Sequence, residues 1–295
     1  MRIVGIDAGG TKTEFLLCDE NEKVINKVLL GTGNPNDIGI DACLELFAKG
    51  LDELLGDELP DAVFAGVSGG GFGENCEKIR NFLTTRYPSA KVDNGADAIN
   101  LIYCAKTDKN CGALICGTGS ALFLKRGNEI LRFGGWGYIF DFGGSAFDFG
   151  RDAIRVLLEA EEIAKDRLDT PLCRLLSARL TCSAHESIGE FYAKGKAYIA
   201  SFAPLVFEAL AKGDEFAKKI LESNVQAVAD RISLAISSSF ELEQIVCAGG
   251  LFSSPVFFSA LSERVCVPLI IPDVSPAVGA CRKAMSMVLE GYIEN

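Results

Sequence analysis

Two glycine turns carry the residues best suited to chemistry. The first, Asp7-Ala8-Gly9-Gly10-Thr11-Lys12-Thr13, follows a short apolar run, and Gly117-Thr118-Gly119-Ser120 follows another. A glycine-rich turn can present backbone N–H groups to an anion. Thr11 and Thr13 add hydroxyl donors and Lys12 adds a point charge. Asp7 would repel a bare phosphate and makes sense if Mg²⁺ lies between them, held directly or through water; otherwise Asp7 and Lys12 read as solvated residues of an ordinary hairpin. A P-loop needs GxxxxGK[ST] leading into a helix. Here Gly5 and Gly10 are spaced correctly, but Thr11 precedes Lys12-Thr13 and a strand follows. The dinucleotide GxGxxG pattern is absent for the same strand-turn-strand reason. Either turn alone also reads as an ordinary hairpin with its glycines at positive φ. Two of them facing each other would grip a polyphosphate from both sides.

The elements that must position these turns follow from periodicity. Residues 2–6, 14–18 and 23–28 predict an antiparallel meander. Leu44, Phe47, Leu51, Leu54 and Leu55 fall on one helical face of 40–55. A buried strand over 61–67 runs into Gly69-Gly70-Gly71-Phe72-Gly73. A helix over 76–87, a strand near Val92 and a helix over 98–104 come next. The opening pattern then returns. Strands at 111–116, 121–125 and 130–133 are joined by the second glycine turn and by Arg126-Gly127-Asn128-Glu129. Helices are expected at 147–165, 170–180, 184–200, 204–211 and 214–239, with strands at 244–248 and 267–271. Ser275 and Pro276 signal a last helix. The repeated unit implies two related α/β domains with a cleft between them, spanning 1–108 and 109–295, with helix 276–295 able to return to the first.

Composition narrows the function classes. Against 29 Lys and Arg stand 40 Asp and Glu, a net charge of −11, which disfavours counterion-driven binding to nucleic acid. The single histidine, His185, leaves no multi-histidine metal site, and a Ser-His-Asp set would need it. It reads as an exposed residue near a helix start. No apolar run reaches the ~18 residues of a membrane span, and Met1 leads straight into a strand rather than a signal peptide. The 11 cysteines are odd in number and contain no CxxC, so they read as buried thiols of a cytoplasmic protein. Cys116, just before the second turn, reads as a small strand-end residue rather than a reactive thiol.

The two turns, together with Gly134-Gly135-Trp136-Gly137 and Cys247-Ala248-Gly249-Gly250-Leu251, occur in an order that resembles a known family. It is that of the BadF/BadG/BcrA/BcrD-type ATPases and N-acetylglucosamine kinases, within the actin/hexokinase/heat-shock-ATPase superfamily. Gly33-Asn34-Pro35-Asn36 and Ser275-Pro276-Ala277-Val278-Gly279-Ala280 extend the likeness nearly end to end. The resemblance implies an α/β fold of two ribonuclease-H-like (actin-like ATPase) domains, with ATP, Mg²⁺ and a sugar in the cleft. It makes Gly9, Gly10, Thr11, Lys12, Thr13, Gly117, Thr118, Gly119 and Ser120 phosphate-binding, and assigns Gly249 and Gly250 to the adenosine segment. Asp7 would organise Mg²⁺. A sugar hydroxyl attacking a γ-phosphorus must lose its proton to a nearby carboxylate. Asp97 resembles the family's catalytic aspartate, although a helix N-cap is its plain alternative. Asn34, Ser68, Gly69 and Gly70 are expected at the sugar, against ordinary turn and loop roles.

One segment departs from the family pattern. After Gly-Gly-Trp-Gly and a two-residue spacer, N-acetylglucosamine kinases usually read Gly-Asp-Glu-Gly-Ser. Here Phe142 and Gly143 replace the acidic pair, and Asp141 lies one position early as a substitute sugar ligand. Trp136 reads equally as a sugar platform or as part of a glycine-rich turn. The resulting expectation is an ATP-dependent kinase of an amino sugar, N-acetylglucosamine or a close relative, acting at a primary hydroxyl. Glucosamine and N-acetylmuramic acid are alternative acceptors, and a homodimer is left open. An ATPase that activates a partner redox enzyme is a rival, although the cysteines show no paired cluster-ligand motif. A sugar-binding regulator is a further rival, disfavoured by the acidic charge and by the lack of a DNA-binding domain before Met1.

Overall fold

A computed structural model describes residues 1–293 other than 72, 106, 108, 128 and 237–240. Phe72 of the glycine cluster, Asn128 of the polar turn, the expected helix end at Ser239 and the last two residues therefore lie outside the described residues. The chain divides into two compact units, residues 1–108 with 272–295, and 109–271.

The first unit contains β1 (Ile3–Ala8), β2 (Thr13–Cys18), β3 (Val24–Leu30), α1 (Pro35–Ile38), α2 (Ile40–Leu55), β4 (Ala62–Val67), α3 (Gly73–Arg86), β5 (Lys91–Gly95) and α4 (Asp97–Ile102). The second contains β6 (Cys111–Cys116), β7 (Ser120–Arg126), β8 (Glu129–Gly134), α5 (Ala146–Glu162), α6 (Pro171–Arg179), α7 (Ile188–Ala200), α8 (Ala203–Ala211), α9 (Glu215–Ile236), β9 (Gln244–Ala248), α10 (Pro255–Ser262) and β10 (Leu269–Ile270). The chain then rejoins the first unit as α11 (Pro276–Ile293).

The two sheets share one topology. The first runs β3-β2-β1-β4-β5, and the second, read from its other edge, runs β8-β7-β6-β9-β10. In each, an antiparallel meander leads to two further parallel strands. The pattern repeat in the sequence is therefore a repeat of fold, and the architecture is α/β with two ribonuclease-H-like halves.

Alternation along β1 explains how the first sheet is covered on both faces. Val4, Ile6 and Ala8 join Phe47, Leu51, Ile79 and Leu83 of α2 and α3 in one core. Ile3 points the other way, into a cluster with Ala277, Ala280, Cys281 and Ala284 of α11. Gly5 lies beneath that helix, where an added Cβ would overlap the Ala277 carbonyl and stand 2.5 Å from the Cys281 nitrogen. In the second unit Leu114, Leu122 and Leu124 pack beneath Phe149, Leu157, Phe202 and Val228.

Several helix boundaries differ from expectation for local reasons. α5 stops at Glu162, because its last turn carries Glu161 and Glu162 and no basic residue, unfavourable at a helix C-terminus. Glu161 instead accepts from the Ala184 N–H at 2.8 Å, which holds 183–187 as a turn and delays α7 to Ile188. His185 sits in that turn, exposed, between Glu161 and Glu162. Gly195, at φ 69°, kinks α7. β10 pairs only at Leu269 and Ile270, because Pro268 brings a carbonyl but no N–H to the ladder. Among the described residues no helix is long and apolar enough to cross a membrane.

Candidate active site

In the first unit β1, β4 and β5 run parallel and end side by side at Ala8, Val67 and Gly95. The segments that leave those C-terminal ends are where ligands bind in open α/β sheets. They hold the turn at 9–12, the segment 68–70, and Asp97. The register keeps them together: Ser68 N–H donates to the Ala8 carbonyl at 2.8 Å, and Gly33 N–H donates to the Gly9 carbonyl at 3.0 Å. Within the turn, Gly9 N–H is taken by the Lys12 carbonyl at 2.9 Å, which leaves Gly10, Thr11 and Lys12 as its exposed residues. Thr13, expected at the phosphate, is wholly buried, its hydroxyl packed towards Gly33 with no hydrogen-bond partner among the described residues.

Asp97 is the first residue of α4, one past the N-cap Ala96, and not itself the cap. Its carboxylate accepts from the Ala98 N–H at 3.0 Å. Burial pushes this carboxyl above the ordinary range, while the Ala98 N–H and the side chain of Ser68 act in the opposite direction. A carboxylate so placed is a stronger base than a solvated one. Asn34 Oδ1 caps α1 by accepting from the Asn36 N–H at 2.9 Å, and it also lies against Gly69. Gly69 is exposed, and Gly70 is buried with its N–H on the Val67 carbonyl at 3.1 Å.

Asp7 stands at the end of β1, and its Oδ1 accepts from Asn100 Nδ2 at 2.8 Å. Its carboxyl is pushed up to about 6, chiefly by burial, which Asn100 opposes and the charges of Asp97 and Glu14 reinforce. Glu14 and Asn100 were not anticipated from sequence. Glu14 faces Asp7 across the β1–β2 pair, almost fully buried between Lys27 Nζ at 2.6 Å and the Ser275 hydroxyl at 3.2 Å. A glutamate in an otherwise apolar strand, Glu14-Phe15-Leu16-Leu17-Cys18, is the sequence signal for a paired buried charge. Asn100 gives no comparable signal.

The second unit repeats the first turn in shorter form. Gly117 N–H donates to the Gly119 carbonyl at 2.9 Å, and the start of α5 supports the turn through Ala146 N–H on the Gly117 carbonyl at 2.8 Å. Neither Gly117 nor Gly119 has positive φ, and a Cβ at either would meet nothing within 4 Å. The hairpin geometry therefore does not demand these glycines, whereas close approach of a ligand to bare backbone would. Gly249 adjoins this turn. At φ 107° its Cβ would overlap the Cys116 carbonyl and lie 2.8 Å from the Gly117 nitrogen, so only glycine lets 249–250 sit here. Gly250 is exposed. Cys116 is fully buried and its thiol is pushed far up by burial, which leaves it unreactive.

Ser120 is almost fully buried, and its hydroxyl donates to the Gly143 carbonyl at 3.1 Å. Asp141, expected at the sugar, is paired with Arg231 at 3.2 Å, both side chains being 7% exposed. Trp136 is 59% exposed and carries the Arg132 guanidinium 4.7 Å from its ring centre. With Phe142, Leu234 and Arg231 it lines a cavity of about 530 Å³. Among the described residues, no group of three or more His, Cys, Asp or Glu is placed to hold a metal ion.

Similar proteins match most or nearly all of the chain. N-acetyl-D-glucosamine kinase of Dictyostelium discoideum is 23% identical, over 96% of this chain and 97% of its own. N-acetylmuramic acid/N-acetylglucosamine kinase of Clostridium acetobutylicum is 29% identical, over 79% of this chain and 80% of its own. A solved structure from Chromobacterium violaceum, provisionally named an N-acetylglucosamine kinase, superposes with a TM-score of 0.71 at 21% identity, covering 95% and 97% of the two chains. The profile of the BadF/BadG/BcrA/BcrD ATPases matches residues 4–284, a span that takes in both glycine turns, Asp97 and the 249–250 segment, and the chain belongs to that family.

Proposed function

We propose that the protein transfers the γ-phosphoryl group of ATP to a primary hydroxyl of an amino sugar, N-acetylglucosamine or a close relative, with Asp97 as general base. The observation that carries this reading is the grouping of Asp97, Ser68, Asn34 and Gly69 at the strand ends that also present the turn at 9–12. The names of the relatives supply the substrate class.

The chemistry follows from the residue types. The sugar hydroxyl donates its proton to an Asp97 oxygen as its own oxygen bonds to the γ-phosphorus. The bond from phosphorus to the bridging oxygen breaks and ADP leaves with that electron pair. Asp97 suits this role because burial favours its protonated form, so it takes up a proton more readily than an exposed aspartate. Gly10, Thr11 and Lys12 of the first turn, and Thr118 and Gly119 of the second beside the half-buried Gly117, offer exposed backbone, hydroxyl and ammonium groups suited to phosphate oxygens. Mg²⁺ fits Asp7, a hard oxygen donor whose other neighbours, Asp97 and Glu14, are also acidic and would be relieved by a cation. Bound there, it would neutralise charge on the nucleotide phosphates. Asn100 keeps the Asp7 carboxylate oriented.

ADP release measured over a panel of amino sugars and plain hexoses tests the proposal. N-acetylglucosamine or another amino sugar should stimulate release, and Asp97→Asn should lower kcat by about 10³-fold with ATP binding retained. Full turnover by Asp97→Asn would remove the assigned base.

A further inference from the structure

α9 carries a buried stripe of Ala217, Leu221, Asn224, Val228, Arg231 and Ala235 on its core face. Arg231 is the charged member of that stripe and is 8% exposed. Its Nη1 donates to Ser120 Oγ at 3.2 Å, and its Nη2 lies 3.2 Å from Asp141 Oδ1. Ser120 passes the contact on to the Gly143 carbonyl, and Asp141 Oδ1 accepts from the Gly135 N–H at 3.3 Å. Gly134 makes room for the guanidinium, since a Cβ there would stand 2.6 Å from Nη1. One heptad earlier, Asn224 Oδ1 accepts from the Gly144 N–H at 3.0 Å.

We infer that Arg231 is the positioning residue of the second glycine turn, fixing Ser120 against the 134–144 segment. The inference rests on the reading of 117–120 as a phosphate turn. The chemistry of the cation supports placement over simple stabilisation. Nε and Nη2 are buried without a hydrogen bond, because the contact with Asp141 is close but misaligned. An under-satisfied buried arginine adds little stability compared with an apolar side chain of similar size. What it does supply is a fixed fork joining two segments. The guanidinium also lies over the Phe142 ring, 5.5 Å from its centre. Asp141 Oδ1 thus faces both Arg231 and the Gly135 N–H.

The test compares ATP with adenosine by calorimetry on the full chain, using wild type, Arg231→Met, Arg231→Lys and Ser120→Ala. A displaced turn weakens only the phosphate-dependent part of binding. Arg231→Met should raise the Kd for ATP about tenfold, with adenosine within about twofold. Arg231→Lys should recover part of the loss, since one ammonium can serve one acceptor but not the fork. Ser120→Ala should shift the ratio of the two affinities in the same direction, and it carries the test if Arg231→Met does not fold. An unchanged ratio in Arg231→Lys and Ser120→Ala, or in Arg231→Met with only a lower Tm, would reduce Arg231 to a packing residue and overturn the inference. A wild-type protein that binds adenosine as tightly as ATP would instead overturn the phosphate reading of 117–120.

Discussion

Asp7→Asn should make the nucleotide-free protein more stable at pH 8 while disabling it. The Asp7 carboxyl has its ordinary value of 3.8 pushed up to about 6. The unfolded chain thus releases this proton near the ordinary value, and the folded chain holds it to the higher one. Between those values stability falls as pH rises, and above about 6 the full penalty persists. A shift of that size corresponds to ~3 kcal/mol at most, and residual solvent access to the side chain trims it to about 1–2 kcal/mol. Asparagine keeps an acceptor for Asn100 Nδ2, which now donates to Oδ1 at 2.8 Å, so the hydrogen bond survives. Thermal unfolding followed by far-UV circular dichroism should show Tm higher by roughly 2–6 °C at pH 8. The gain should shrink to about a third at pH 4.5, where the wild-type carboxyl is protonated when folded and only partly ionised when unfolded. A lower Tm for the variant at pH 8, or the same gain at both pH values, would refute the reasoning that burial of this charge destabilises the apo protein.

Other outcomes follow from the same geometry. Gly117→Ala and Gly119→Ala add a Cβ to open space, so Tm should stay within about 2 °C while KM for ATP rises at least about tenfold; unchanged KM would show that nothing approaches the turn closely. Gly249→Ala forces a side chain into φ 107° against the Cys116 carbonyl, and urea unfolding should register a loss of about 2–3 kcal/mol. Because burial holds Asp97 above the ordinary 3.8, kcat/KM should rise with pH along a limb centred above that value, and the limb should disappear in the residual activity of Asp97→Asn.

Much of the scaffold is legible in the sequence, for identifiable reasons. The meander strands and α2 alternate or repeat so regularly that burial leaves one assignment, and α2 spans the expected 40–55. The repeat of strand, glycine turn and strand marks the second sheet in the sequence itself. Less legible were features decided by partners distant in sequence. α7 begins late because Glu161, on another helix, takes the Ala184 N–H. Thr13, Ser120 and Asp141 carry suitable groups, but which way each side chain points depends on register and on Arg231, more than a hundred residues beyond Ser120. Arg231 itself could have been found. A charge at the core position of an apolar helical stripe must be paired, and the polar residues of the glycine segments are natural partners. Asn34 illustrates the opposite case, for its turn role is plain in the structure, Oδ1 accepting from the Asn36 N–H.

The destination of the γ-phosphoryl group tests the central claim most directly. Wild-type protein and Asp97→Asn are each given γ-labelled ATP with Mg²⁺ and N-acetylglucosamine, glucosamine, N-acetylmuramic acid or glucose, and the products are separated. Label should appear on an amino sugar with the wild type, with a loss of about 10³-fold in the variant. Label released only as inorganic phosphate, at a rate indifferent to every sugar and to Asp97, would contradict it.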